Sequence, residues 1–202
     1  MSAERPYHYT SGLFIPSIIE QGLIRPSQTA NPVFASTDPD YEIAACTCDT
    51  FPGMARERVK RESAELGRGL YRIEIMPAVV CTWPRFREYF PEHPCLNREE
   101  RYLRHPAVDE DEKTWRMSPT PLPEWEWLGI EVFPYPDLPR HYSLGLPDDY
   151  PVDELPPAWV RVDGEELLTQ YRASPAGFQY LVRHFAKWKR PTGRIPGLWV
   201  VT

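Results

Sequence analysis

The stretch YHYTSGLFIPSIIEQGLIRPS, Tyr7 to Ser27, followed by NPVFASTDPDYE, Asn31 to Glu42, decides how this chain is read. Tyr7 to Thr10 is short, aromatic and β-prone, a strand carrying one histidine. Ser11 is a candidate N-cap for a helix with Pro16 in its first turn, where a missing N–H is tolerated. Ile18 and Ile19 should face the core, and Gly22 should close the helix. Pro26 and Pro32 bracket a loop, and Val33 to Ser36 forms the next strand. Two strands, one bearing His8 and one ending in Ser36-Thr37, thus place a concave polar site within the first quarter of the chain.

Working outward, Thr37-Asp38-Pro39-Asp40 starts a helix carrying Tyr41, Ile43, Ala44 and Ala45 and broken at Pro52-Gly53. A second helix, Met54 to Glu65, ends at Gly67 or Gly69, and its polarity marks it as mostly solvated. Leu70 to Met76 alternates apolar and charged residues, the pattern of a half-exposed strand, with Val79 to Trp83 as its continuation or partner. A short helix is expected near Asn97 to Leu103, then an acidic surface loop, Val108 to Lys113. Ten of the 24 prolines fall between Ser118 and Pro157, which forbids long helices and central strands there. Trp125 to Phe133, WEWLGIEVF, is the one credible strand in that region, and the rest should be ordered loop packed by Tyr135, Tyr142 and Tyr150. Asp163-x-x-Glu166 is a capping box for a helix over 165–172. Ser174-Pro175 starts another, within a helical part spanning 162–190, and Leu198 to Val201 is a last strand. The sum is one α+β domain over 1–202.

Composition narrows the function. The chain has 202 residues, 42% hydrophobic and 13% aromatic, with net charge −6, so a core is affordable and general phosphate-backbone binding is not expected. MSAERPYHYT lacks the basic and apolar regions of a Sec signal, and no apolar run approaches the ~20 residues of a membrane span. A cytoplasmic protein is expected. Cys46, Cys48, Cys81 and Cys95 are too few for a disulfide scaffold. With His93 they lack the usual spacing of a structural zinc site, so no metal is expected. No local signature pairs a cysteine nucleophile with His8, His93, His105, His141 or His184. Asp148-Asp149 and Asp153-Glu154 read as solvated turn charges. The basic run Arg183, His184, Lys187, Lys189, Arg190 and Arg194 balances an acidic body.

The HYT strand, the helix, the glycine turn with Arg25-Pro26-Ser27, and the Phe34-Ala35-Ser36 strand together resemble the ADP-ribosyltransferase-like fold. The resemblance is to its bacterial branch opening with a His-Tyr/Phe-Thr motif, and it is closest over about the first 45 residues. It implies a split sheet of short strands with surrounding helices and long Pro-rich loops, and NAD as substrate, in an enzyme of toxin or effector type. It further implies that His8 contacts the ribose and nicotinamide-amide region, with Tyr9 and Thr10 beside it. Phe34 would stack on the nicotinamide, Ser36 would support it, and Tyr41 would join the same NAD-binding set. A later glutamate would hold the nicotinamide ribose and orient the nucleophile, stabilising the positive charge that builds as the glycosidic bond breaks.

Glu124, Glu126 and Glu131 are the candidates for that carboxylate. Alternate strand positions share a face, so Glu126 points away from Trp125 and Trp127, and Glu124 goes with Glu126. The face of Glu131 depends on whether Gly129 makes a bulge. Position before the Pro-rich loop favours Glu131, so Glu131 and His8 are the expected catalytic pair. The implied activity is transfer of ADP-ribose to an acceptor such as a protein, or hydrolysis of NAD. A second reading is a non-catalytic interaction protein of immunity, anti-defence or adaptor type. A third, phosphotransfer from RNA ends to NAD, would want several arginines near His8, where the N-terminal segment supplies Arg25.

Overall fold

Local signals build the first elements largely as expected. The computed structural model describes residues 4–26, 32–41, 55–93, 96, 113–151, 153 and 158–174. The helix expected to start at Thr37-Asp38-Pro39-Asp40 does not form over 37–41, where Asp38 Oδ1 instead accepts from the Asp40 N–H in a bend. Its continuation to Pro52-Gly53, the helix near 97–103, most of the acidic run and everything after 174 lie outside the described residues. The strands are β1 (Tyr7–Ser11), β2 (Leu23–Ile24), β3 (Val33–Ser36), β4 (Leu70–Ile75), β5 (Cys81–Thr82), β6 (Trp115–Ser118), β7 (Leu122–Pro123), β8 (Trp127–Phe133) and β9 (Val160–Val162). The helices are α1 (Ile15–Gln21), α2 (Arg56–Leu66), α3 (Trp83–Tyr89) and α4 (Gly164–Ala173). The class is α+β. Seven strands form one antiparallel sheet in the order β5-β6-β3-β1-β4-β8-β9, and β2 pairs with β7 as a separate ribbon.

Gly22 ends α1 at φ 59, its N–H reaching back to Ile18 and Ile19 carbonyls, and Pro16 sits in the first turn. The N-cap is Phe14 and not Ser11. Ser11 is still paired with Leu70 in β1, and its carbonyl accepts from Phe14 N–H at the turn between them. At α4 the Asp163 carboxylate accepts from the N–H groups of Glu165 and Glu166, both at 2.9 Å. The Glu166 carboxylate turns away to accept from Gln170, so only half of the capping box forms.

Strand alternation sorts the sheet into two faces. On one, Val33, Ala35, Tyr71, Ile73, Ile75, Ile130, Val132 and Val162 pack with Ile15 of α1 and Leu167 of α4. On the other, Tyr7, Tyr9, Leu70 and Phe133 pack with Tyr41 and with Val59 and Ala64 of α2. Trp115 and Met117 make a third cluster with Trp83 and Phe86 of α3.

Several expectations change for physical reasons. β4 is buried along its whole length, not half exposed. Its two charges are neutralised, Arg72 by Glu131 at 2.5 Å and Glu74 by Arg161 at 3.0 Å. α2 is less solvated than its polarity implies, because Lys60 is buried with its ammonium on Asp40 and over the Phe133 ring. Residues 81–82 pair with β6 at the far edge, so they neither continue nor partner β4. Trp125 and Trp127 do not share a face: Glu124–Glu126 is a 3-10 turn, Trp125 is 77% exposed, and Trp127 packs against the core.

Gly129 has a definite task. It sits opposite Glu74 on β4, and a Cβ there would coincide with the Arg161 guanidinium. The missing side chain lets Arg161 of β9 cross β8 to reach Glu74 and the Leu128 carbonyl. Gly129→Val should displace Arg161 and destabilise the protein by about 1–3 kcal/mol, despite valine's better strand propensity. In an Arg161→Ala background the same change should cost under about 0.5 kcal/mol, a coupling read from urea melts of the four-member cycle.

Candidate functional site

The geometry around β1 follows from its alternation. His8 stands opposite Ile73, and Ile73 opposite Ile130, so His8 shares the face of the α1-side core. Thr10, opposite Tyr71, shares it as well. β1 and β3 have one register pair, Tyr7 with Ser36, and beyond it the two strands part. The His8 ring bridges this parting, its Nδ1–H donating to the Phe34 carbonyl at 2.8 Å. Burial lowers the His8 pKa from its ordinary value, and the Phe34 bond opposes that shift. The imidazole is therefore neutral at pH 7, and with the proton on Nδ1 its Nε2 presents a lone pair. Among the described residues no protein group pairs with Nε2.

The remaining expected residues divide between the two faces. Ser36 is fully buried, and its Oγ accepts from Asp38 N–H at 3.1 Å. Phe34 is 40% exposed, edge-on to Trp115 with centroids 6.2 Å apart. Its carbonyl holds His8, while its ring lies with Ser36 and Trp115 on the opposite face. Tyr9 donates its hydroxyl to the Asp38 carbonyl and meets Tyr41 edge-on at 5.6 Å. Burial raises the Tyr9 pKa, against the pull of Arg72. Tyr41 is completely buried. Tyr9, Ser36 and Tyr41 are thus packing and turn-forming residues on the face away from His8, and only Thr10 stands beside it.

Glu131 falls on the face opposite His8. A bulge between Glu74 and Ile75 shifts the β4–β8 register, pairing Ile75 with Trp127 and Arg72 with Glu131. Trp127 consequently joins the His8 face and Glu131 the other. Its carboxylate is taken by Arg72 at 2.5 Å, with Arg161 at 3.9 Å. Glu131 and His8 thus stand on opposite faces of the sheet. Arg72 is held in turn by aromatic rings. It lies between the rings of Tyr7, at 4.0 Å, and Trp159, at 4.4 Å, and Tyr71 gives its hydroxyl to the Leu144 carbonyl.

Glu124 is placed differently. Its N–H donates to the Gly22 carbonyl at 2.9 Å, and its carboxylate lies over Gly22 at the end of α1. Since α1 packs on the His8 side, Glu124 lies on that side too. Glu126 is half-buried, its carbonyl accepting from Met76 N–H. The β2–β7 ribbon that brings Glu124 to α1 has no periodicity to reveal it: each strand is two residues long, and β7 ends in proline.

Comparison with known proteins gives no further guide: no family model, no curated protein and no solved structure matches the chain. Among the described residues, no three His, Cys, Asp or Glu side chains converge to hold a metal ion, and no helix is long and apolar enough to cross a membrane. Of the five candidate zinc ligands, Cys46, Cys48 and Cys95 lie outside the described residues.

The lowered His8 pKa makes a pH-dependent contribution. A buried imidazole that resists protonation stabilises the fold fully above its unfolded value near 6.5, and that contribution is lost as pH falls through the folded pKa. Denaturation midpoints from pH 7.5 down to 5 should therefore fall more steeply for the native chain than for His8→Gln. Parallel slopes would place His8 in solvent.

Proposed function

We propose that this chain binds NAD at the parting of β1 and β3 and cleaves its nicotinamide bond, in the manner of ADP-ribosyltransferase-like domains. The observation that carries the reading is His8 itself: neutral, fixed in one tautomer by the Phe34 carbonyl, with Nε2 open, where two strands separate. A fixed acceptor of this kind suits a ribose hydroxyl. The order strand, helix, glycine turn and aromatic-x-Ser strand, on which the family resemblance rested, also forms as elements β1 to β3.

In this reading the carboxylate is Glu124 in place of Glu131. Glu124 opens the turn that enters β8. Glu124 lies on the His8 side and has no cation bound to it among the described residues. Its charge is free to stabilise the oxocarbenium character that develops on the ribose. Thr10 supports the ribose, and the Phe34 backbone borders the parting. The acceptor is a protein, a small molecule or water. A non-catalytic interaction protein is the second reading, favoured by the ion-paired state of Glu131 and by the exposed Trp125 and Leu128.

Calorimetry with NAD, together with release of nicotinamide, tests both. Native chain should bind NAD, and His8→Ala should lose binding and turnover with little change in melting temperature. Glu124→Gln should retain binding and lose turnover by about 100-fold, the scale of one electrostatic stabiliser. Glu131→Gln should retain turnover per folded molecule while losing about 3 kcal/mol of stability, since it leaves Arg72 buried and unpaired. Turnover lost in Glu131→Gln but kept in Glu124→Gln would reverse the assignment. Absence of NAD binding favours the interaction protein.

A further inference from the structure

A groove of about 360 Å3 runs between the N-terminal segment at Glu4 and Pro6, the 77–82 segment and α3. That volume is within the range of small-molecule sites. Arg116 of β6 lines it and is the feature that sets its chemistry. The Arg116 side chain is 8% exposed, and one terminal nitrogen is anchored by the Lys113 carbonyl at 3.0 Å and the Trp115 carbonyl at 2.8 Å. The other holds the Glu4 carboxylate at 2.5 Å. The guanidinium is thus oriented by backbone carbonyls, and its anionic partner among the described residues is a side chain 68% exposed on the N-terminal segment.

Arg85 of α3 also lines the groove, and among the described residues no carboxylate pairs with it. Both arginines lie close enough to Cys81 to pull its thiol pKa down, against burial, which prevails and pushes it up. Among the described residues, two guanidinium groups therefore share one space with one displaceable carboxylate. Tyr89, one helical turn beyond Arg85 and 59% exposed, adds an aromatic ring to the wall.

We propose that this groove binds a phosphate monoester carried on a planar ring, the chemistry of a nucleoside monophosphate, by displacing Glu4 from Arg116. The phosphate replaces the Glu4 carboxylate on the outward nitrogen of Arg116 and takes a second charge-assisted bond from Arg85. The ring of the ligand lies along Tyr89. Glu4 acts as an internal competitor that neutralises Arg116 when the groove is empty. Neither His8 nor Phe34 lines the groove, and the proposal does not rest on the NAD reading.

Calorimetric titration of the full chain with AMP, adenosine and inorganic phosphate tests this. AMP should bind at least about 10-fold more tightly than either fragment, since charge-assisted bonds and ring contact are both needed. Arg85→Ala, at an exposed position, should weaken AMP about 10-fold with the melting temperature unchanged. Glu4→Gln should tighten AMP, whereas Glu165→Gln, a carboxylate remote on α4, should not. No AMP binding at millimolar concentration overturns the proposal, as does adenosine binding equally well. Glu4→Gln weakening AMP overturns the displacement. AMP affinity that falls with His8→Ala and not with Arg85→Ala assigns the nucleotide to the strand parting and removes the groove as its site.

Discussion

Arg72 is the interaction on which the fold depends. It stands in the middle of β4, and β4 stands in the middle of the sheet between β1 and β8. Its guanidinium binds Glu131 on β8, donates to the Pro39 carbonyl and lies between the rings of Tyr7 and Trp159. One side chain therefore ties β8, β1, the segment after β3 and the approach to β9. A planar, permanently charged group with five donors suits this role, and a lysine would forfeit both the stacking and the fork. Removing either partner leaves an uncompensated buried charge, which costs far more than the intact pair contributes.

The same device recurs around it. Lys60 is buried against Phe133 and Trp159 with its ammonium on Asp40, and the Trp159 indole donates to the Asp40 carbonyl at 2.9 Å. Glu74 is shared by Arg161 and Arg5. One face of the sheet is thus closed with paired charges and aromatic rings, and the other with aliphatic side chains from α1, α4 and the strands. This explains an acidic, strongly charged chain that still buries its central strand on both sides.

What could be read in the sequence was what short-range chemistry dictates. Pro16 and Gly22 bound α1 because proline fits a first turn and glycine the left-handed cap, and Asp163 caps α4 by its own carboxylate. β1, β3 and β8 were legible as aromatic and β-branched runs. The burial of β4 was not, since Arg72 and Glu131 are 59 positions apart and alternation of charge looks the same whether water or a distant carboxylate faces it. β5 and β9 are too short to show a period.

The site shows the same division more sharply. His8 was identifiable from its own strand, because its face and its neighbours follow from local alternation. The face of Glu131 was not, because one extra residue in β8 reverses the face of everything beyond it. The bulge at Glu74/Ile75 sends Trp127 to the His8 side and Glu131 to the Arg72 side, although both occupy odd positions of one strand. Parity counted from the tryptophans therefore gives Glu131 the wrong side, and nothing in WEWLGIEVF marks the register shift except Gly129. That glycine is kept by Arg161, which needs the space to cross to Glu74. The ionic network that closes the sheet is therefore also what holds Glu131 on the face away from His8, whereas Glu124 lies at the end of α1 on the His8 side.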